Sequence, residues 1–221
     1  MKNQQGGFTL VEIAIVLVII GLLLGGVLKG QELITQAKIK NVANDFNGMA
    51  AAIYGYQDRY KAFPGDDDKA SSRWTGAGNG DHDGKVEGAF NSSTAADESR
   101  LFWSHLRLAG FIGGDTSSSA QPQNALGGII GVQTDAGSSG SGGSTSIEQA
   151  GLLVCSSNLP GKIANAIDAQ FDDGVPNKGT IRGYKQSGSV AADGGTNPAS
   201  SGSSTAYTDD GVTLFTVCKS L

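Results

Sequence analysis

Few side chains in this sequence could do chemistry, and they fall in three places. The first is Glu12, the one charged side chain in an otherwise apolar or small run over residues 8–28. A carboxylate in such a run is costly to bury unless a cation or a hydrogen-bond donor meets it, so its presence asks for a partner. The second is the loop "NGDHDGKVE", where Asn79, Asp81 and Asp83 alternate, followed by Gly84, a backbone carbonyl at Lys85, and Glu87. Alternating oxygens around a glycine turn are how an EF-type loop points several ligands at one calcium ion. The bidentate Glu such a loop needs further on is replaced by Phe90, so Glu87, with Asp66 to Asp68, would have to supply the missing oxygens. The stretch fits either a Ca2+ site or a solvated Gly/Asp turn. The third place is the pair Cys155 and Cys218, too widely spaced for a metal site. A single disulfide formed in an oxidising compartment fits them better.

Nothing in the sequence speaks for an enzyme. There is no G-x-S-x-G, no H-E-x-x-H, no P-loop and no G-x-G-x-x-G after a strand. His82 and His105 are the only histidines, and neither has a cysteine or second histidine close by in sequence to suggest a transition-metal site. A net charge of −5 argues against nucleic acid as a partner.

The elements that position these groups begin with the apolar run itself. About 20 such residues span roughly 30 Å as a helix, the thickness of a bilayer core. A cleavable signal peptide would be shorter and end in a small-x-small site. Instead "GGVLKGQEL" follows, with no such pattern. The short polar leader ahead of the run ends in Gly6-Gly7, and Lys2 would hold it in the cytoplasm.

On these residues, "GGFTLVEIAIVLVIIGLLL", the chain resembles the class III prepilin leader of type IV pilins and type II secretion pseudopilins. The likeness rests on a short leader, Gly before the cut, an aromatic after it, and Glu at the fifth mature position. It implies cleavage between Gly7 and Phe8 by a membrane prepilin peptidase, which also methylates Phe8, and it implies that the apolar run is kept. It further implies that Glu12 meets the Phe8 ammonium of a neighbouring subunit, each ion offsetting the other's desolvation only in the right axial register. The bland alternative is a membrane anchor with a tolerated polar residue. Many members of the family carry a helix-loosening proline whose approximate place here is Lys29. Implied partners are the chain itself in a helical filament, an inner-membrane assembly platform, and the membrane before assembly. The implied location is the inner membrane as a single-pass protein, then an extracellular pilus or a periplasmic pseudopilus.

Beyond the run, Ile39, Val42, Ala43, Phe46, Met49, Ala50, Ile53 and Tyr60 keep three- and four-residue spacing, the pattern of an amphipathic helix. Pro64 and Gly65 would stop it. The reading divides the chain into a leader (1–7), a long helix (8–60) and a head (61–221). The helix has a membrane or filament-core half (8–28) and an amphipathic half packed on the head (29–60). "DESRLFWSHLRLAGF" predicts a second helix capped by Asp97 and ended by Gly110, with Trp103 and His105 toward the edges of its apolar stripe and His105 partly exposed. Strands are predicted in Leu126–Val132, "GLLVCSS", "TIRGYKQ" and "GVTLFTVCKSL". A helix in "GKIANAIDAQF" opens with Pro160 in its first turn. Gly/Ser-rich loops, open to O-linked glycans, fill 113–146 around the first strand and 187–205. A Cys155–Cys218 bridge would join the last strand to an earlier one, an arrangement that also resembles type IV pilins. The fold class is α+β and pilin-like: a long N-terminal helical spine and a head with a small antiparallel sheet.

Three functions are compatible with this reading. One is a structural subunit of a type IV pilus-like filament. Another is a pseudopilin of a type II secretion system. The third, from another class, is a membrane-anchored calcium- or sugar-binding module that never polymerises.

Overall fold

Apolar side chains recur every three or four positions from Val42 to Tyr56, and they lie on one side of the helix α1 (Leu10–Tyr60). The computed structural model describes residues 9–136, 149–186 and 206–221. The chain divides into two units, Met1–Lys38 and Ile39–Leu221. In the first, the apolar residues of α1 are exposed, from Leu10 through Leu17 and Leu24 to Ile34. In the second, Val42, Ala43, Phe46, Met49, Ala52, Ile53 and Tyr56 are buried. The helix ends at Tyr60 because Lys61 turns into the left-handed region at φ 60°, ahead of Pro64.

After a short helix, α2 (Ala70–Arg73), which nothing in the sequence pattern announced, come α3 (Glu98–Leu108), β1 (Ile130–Ala136), β2 (Ala150–Pro160), α4 (Gly161–Phe171), β3 (Ile181–Lys185) and β4 (Leu214–Ser220). The four strands form an antiparallel sheet in the order β1-β2-β4-β3. Strand alternation sorts their side chains onto two faces. Ile130, Val132, Leu152, Val154, Ile181, Phe215 and Val217 share one core with α1 and with Ile163, Ala164 and Ile167 of α4. Leu153, Cys155, Tyr184 and Cys218 join Phe90 and Ile129 in a second. Cys155 and Cys218 stand directly opposite each other on β2 and β4 and are disulfide-bonded.

Part of each edge of the sheet is hydrogen-bonded within the chain. On β1, the Thr134 N–H donates to the Val86 carbonyl at 2.9 Å, and the Val86 N–H donates to Thr134 Oγ1 at 2.8 Å. On β3, the Gly183 N–H donates to the Pro176 carbonyl at 2.9 Å and the Ile181 N–H to Asp172 Oδ2 at 3.0 Å. Edges engaged in this way offer less to a strand from another molecule.

Several expectations need correction. The first strand starts at Ile130, not Leu126, because Asn124 Oδ1 accepts the N–H groups of Leu126 (2.9 Å) and Gly128 (3.0 Å) and bends that stretch into a turn. Pro160 sits at the N-cap of α4, outside its first turn. Gly161 follows because a Cβ there would lie 2.0 Å from the Thr208 carbonyl oxygen. Asp97 occupies the N-cap of α3 but its side chain caps nothing; it accepts the Ser92 hydroxyl at 2.5 Å instead. Gly110, at φ 77°, ends α3 in a Schellman motif, with the Gly110 N–H on Arg107 O (3.0 Å) and the Phe111 N–H on Leu106 O (2.9 Å). Trp103 and His105 are fully buried, not marginal. The loops on either side of α3 close over it, one of them tied down by Arg107 on the carbonyls of Ser118 (2.7 Å) and Ala120 (2.6 Å). The Gly/Ser-rich stretches 137–148 and 187–205 and the leader 1–7 lie outside the described residues.

Candidate functional site

At the N-terminal end of α1, Thr9 and Glu12 form a capping box. The Thr9 N–H donates to Glu12 Oε2 at 2.8 Å, the Thr9 hydroxyl donates to the same oxygen at 2.8 Å, and the Glu12 N–H donates to Thr9 Oγ1 at 3.3 Å. The helix start thereby receives two of its orphan N–H partners, and the carboxylate is held by donors of its own chain. Thr9 escaped the sequence reading, although T-x-x-E ahead of an apolar run is a recognisable signature. Gly7 and Phe8, the residues of the implied cut, lie outside the described residues. Around Glu12 the helix surface is apolar and uncovered: Leu10 is 91% and Leu17 64% exposed. A Cβ added at Gly21, Gly25, Gly26 or Gly30 would meet nothing within 4 Å. Nothing within the described chain requires glycine at those positions. Lys29 and Glu32 form an exposed ion pair at 2.7 Å, of the kind that adds little stability.

The acidic loop is arranged differently from an EF-type loop. Asn79 Oδ1 accepts the Ser71 N–H at 2.8 Å. Asp83 accepts both the Lys85 N–H (2.9 Å) and the Lys85 ammonium (2.7 Å), which holds its carboxyl below the usual range. Glu87 contributes its backbone N–H, donated to Glu98 Oε2 at 3.1 Å. Of the residues read as alternating ligands, only Asp81 is placed in an acidic group. It lies with Asp66 and Glu98, one oxygen from each within 4.8 Å of the others. Asp66 is also held by the N–H groups of Asp83 and Gly84, both at 3.0 Å, and Glu98 by the Asp81 N–H at 3.1 Å. Burial raises the pKa of both Asp66 and Glu98, and these backbone donors pull the other way. If the loop holds a metal, Asp66, Asp81 and Glu98 are the residues to do it. Glu98 had no local signal, because 17 residues of chain separate it from Asp81. A second acidic group, Asp168, Asp172 and Asp173, is spent on structure: Asp168 accepts the Tyr207 hydroxyl at 2.7 Å, and Asp172 accepts N–H groups at the start of β3.

Behind the loop lies a buried polar knot. The Tyr56 hydroxyl donates to Asp67 Oδ2 at 2.6 Å, and the Arg73 guanidinium pairs with the same carboxylate. Arg73 also lies over the rings of Tyr60 (4.7 Å) and Trp74 (5.3 Å). His105 stacks on Tyr56 with ring centroids 6.2 Å apart. Its Nδ1 accepts the Gly65 N–H at 2.9 Å, which leaves Nε2 to donate to the Gly78 carbonyl at 2.9 Å and keeps the ring neutral.

A model of the prokaryotic N-terminal methylation motif matches residues 2–28. No curated protein and no solved structure matches the chain. Among the described residues one helix, α1, is long and apolar enough to cross a membrane, with a mean hydropathy of 2.8 in its most apolar window. The motif implies processing by prepilin peptidase, membrane anchoring before assembly, and polymeric assembly in general. With a methylation motif at the head of a long apolar helix, and a small antiparallel sheet beyond, the chain carries a class III prepilin-type leader on an α+β, pilin-like fold.

Proposed function

We propose that this chain is a structural subunit of a type IV pilus-like filament, cut after Gly7, methylated on Phe8 and polymerised through α1. The observation that carries the proposal is Glu12: an acid amid exposed apolar side chains, at the very start of the helix. Held by Thr9, the carboxylate is partly compensated in a lone subunit, yet its full charge is left for a cation to neutralise. The Phe8 ammonium of a neighbour is that cation. Two further observations support assembly through the helix. Gly21, Gly25, Gly26 and Gly30 have no packing partner among the described residues, and small residues let helices approach closely. Both sheet edges are partly engaged within the chain, which disfavours β-strand addition as the route.

The test is twofold. Mass spectrometry of assembled material should begin at methyl-Phe8, and an intact Met1 there refutes the processing step. Glu12→Gln keeps an oxygen for Thr9 but removes the charge; it should leave the subunit cleaved and membrane-anchored yet abolish fibres. Normal fibres from Glu12→Gln would overturn the proposal, and unchanged ligand binding by a fibreless variant would favour the anchored module instead. Between the two filament classes, the disulfide that ties down the C-terminal strand favours a pilus over a pseudopilus. Deleting the gene should remove surface fibres, and loss of folded-protein secretion would assign it to the pseudopilins.

We also propose Ca2+ as the ligand of the acidic loop. Asp66, Asp81 and Glu98 support it: three carboxylates from distant parts of the chain, two of them buried, brought within reach of one ion.

A further inference from the structure

His105 is engaged at both ring nitrogens by backbone groups that bracket one segment. Gly65 and Gly78, its two partners, flank a stretch holding Asp66, Asp67, Asp68, α2 and Trp74. We propose that His105 is an acid-sensitive latch: neutral, it bolts both ends of the 65–78 segment to α3, and protonated, it releases the Gly65 end.

The geometry gives the reason. An imidazole that donates from Nε2 and accepts at Nδ1 serves Gly78 and Gly65 at once. An imidazolium carries a hydrogen on each nitrogen, so Nδ1 then points a donor at the Gly65 N–H, and that bond is lost. No space is spared for adjustment. His105 is fully buried, and a Cβ on Gly65 would already lie 2.5 Å from the Glu98 carbonyl oxygen. The titratable and charged groups facing the ring offer the new charge no welcome. From α1 comes the Tyr56 ring, stacked at 6.2 Å and committed through its hydroxyl to Asp67. From α2 comes the Arg73 cation, which works against a second positive charge. Asp67 itself is already shared between Tyr56 and Arg73. Burial and Arg73 both push the His105 pKa below its ordinary value. A histidine neutral when latched and free to protonate when released drives opening about tenfold per pH unit below about 6.5. Between pH 7.5 and 5.0 that amounts to roughly a 30-fold rise in the open population. Opening frees the acid-rich segment and draws Trp74 away from the Tyr56 and Tyr60 rings of α1 that it packs on.

The experiment is hydrogen exchange on the full chain in detergent micelles, corrected for the intrinsic pH dependence of exchange. The Gly65 amide and the surrounding segment should lose about 30-fold in protection between pH 7.5 and 5.0, with the β2 and β4 amides unchanged. His105→Gln keeps a donor and an acceptor but cannot titrate, and its segment should show no such loss. An equal loss in His105→Gln, or a loss shared by the whole sheet, overturns the latch. Should His105→Gln fail to fold, the wild-type ring decides. With His82 as the other histidine, its resonances are readily assigned, and they must turn cationic in step with the loss of Gly65 protection. A cationic His105 beneath a still-protected Gly65 would sink the proposal.

Discussion

Breaking the Cys155–Cys218 bond should cost the head a large part of its stability. The two cysteines are 63 residues apart in sequence, and a loop of that size contributes about 4 kcal/mol in the chain-entropy account of cross-links. A domain of ordinary stability has only about 5–15 kcal/mol in total. Both cysteines are fully buried, in a core with Leu153 and Tyr184, and the bond joins the two central strands. Little of the loss can therefore be recovered by local fraying. For a domain of this size, about 4 kcal/mol corresponds to a fall in Tm of roughly 8–16 °C. Thermal melts of the full chain in micelles, followed by the fluorescence of buried Trp103, would measure it in the Cys155→Ala/Cys218→Ala double variant and in reduced wild type. Agreement between the two separates the cross-link from the small cavity left by the lost sulfur atoms. A fall of less than about 3 °C in both would refute the reasoning, and would mean that the denatured chain keeps β2 and β4 together without help.

Three other perturbations follow from particular contacts. Gly131→Ala would drive a Cβ to 2.1 Å from the Phe90 carbonyl oxygen, and denaturant melts should show a loss of about 1–3 kcal/mol or more. Tyr207→Phe takes a donor from the fully buried carboxylate of Asp168 and should cost about 1–3 kcal/mol by the same assay; no change would mean that water replaces the hydroxyl. Ca2+ at 100 times its dissociation constant would add about 2.7 kcal/mol to the folded state, so millimolar Ca2+ should raise the Tm of the wild type but not of Glu98→Gln. An identical Tm with and without Ca2+ would retire the ion.

What the sequence revealed, and what it withheld, divides by range. The buried face of α1 was legible because its period lies within one helix, and so was the close of α3 at Gly110, which depends on neighbouring residues alone. The strands at Ile181 and Leu214 were legible as short runs between Gly-rich stretches. Long-range events were hidden. His105 reads as an edge residue of an amphipathic stripe, yet Gly65, 40 residues earlier, comes to meet it. Asp97 has the right type and place for a cap, but Ser92 takes its side chain. The alternation of Asn79, Asp81 and Asp83 suggested one common focus, whereas Ser71 and Lys85 draw the outer two away and Glu98 waits on another helix. Thr9 was the exception, a local motif in plain view beside the more conspicuous acid.

β4, one of the two central strands of the sheet, follows the other three in the chain. Without residues 214–220, β2 and β3 have no common neighbour and Cys155 has no partner. A chain lacking that strand is left with an unfinished, thiol-bearing head, open to proteolysis. Completion of the sheet, and of its one cross-link, thus waits on β4.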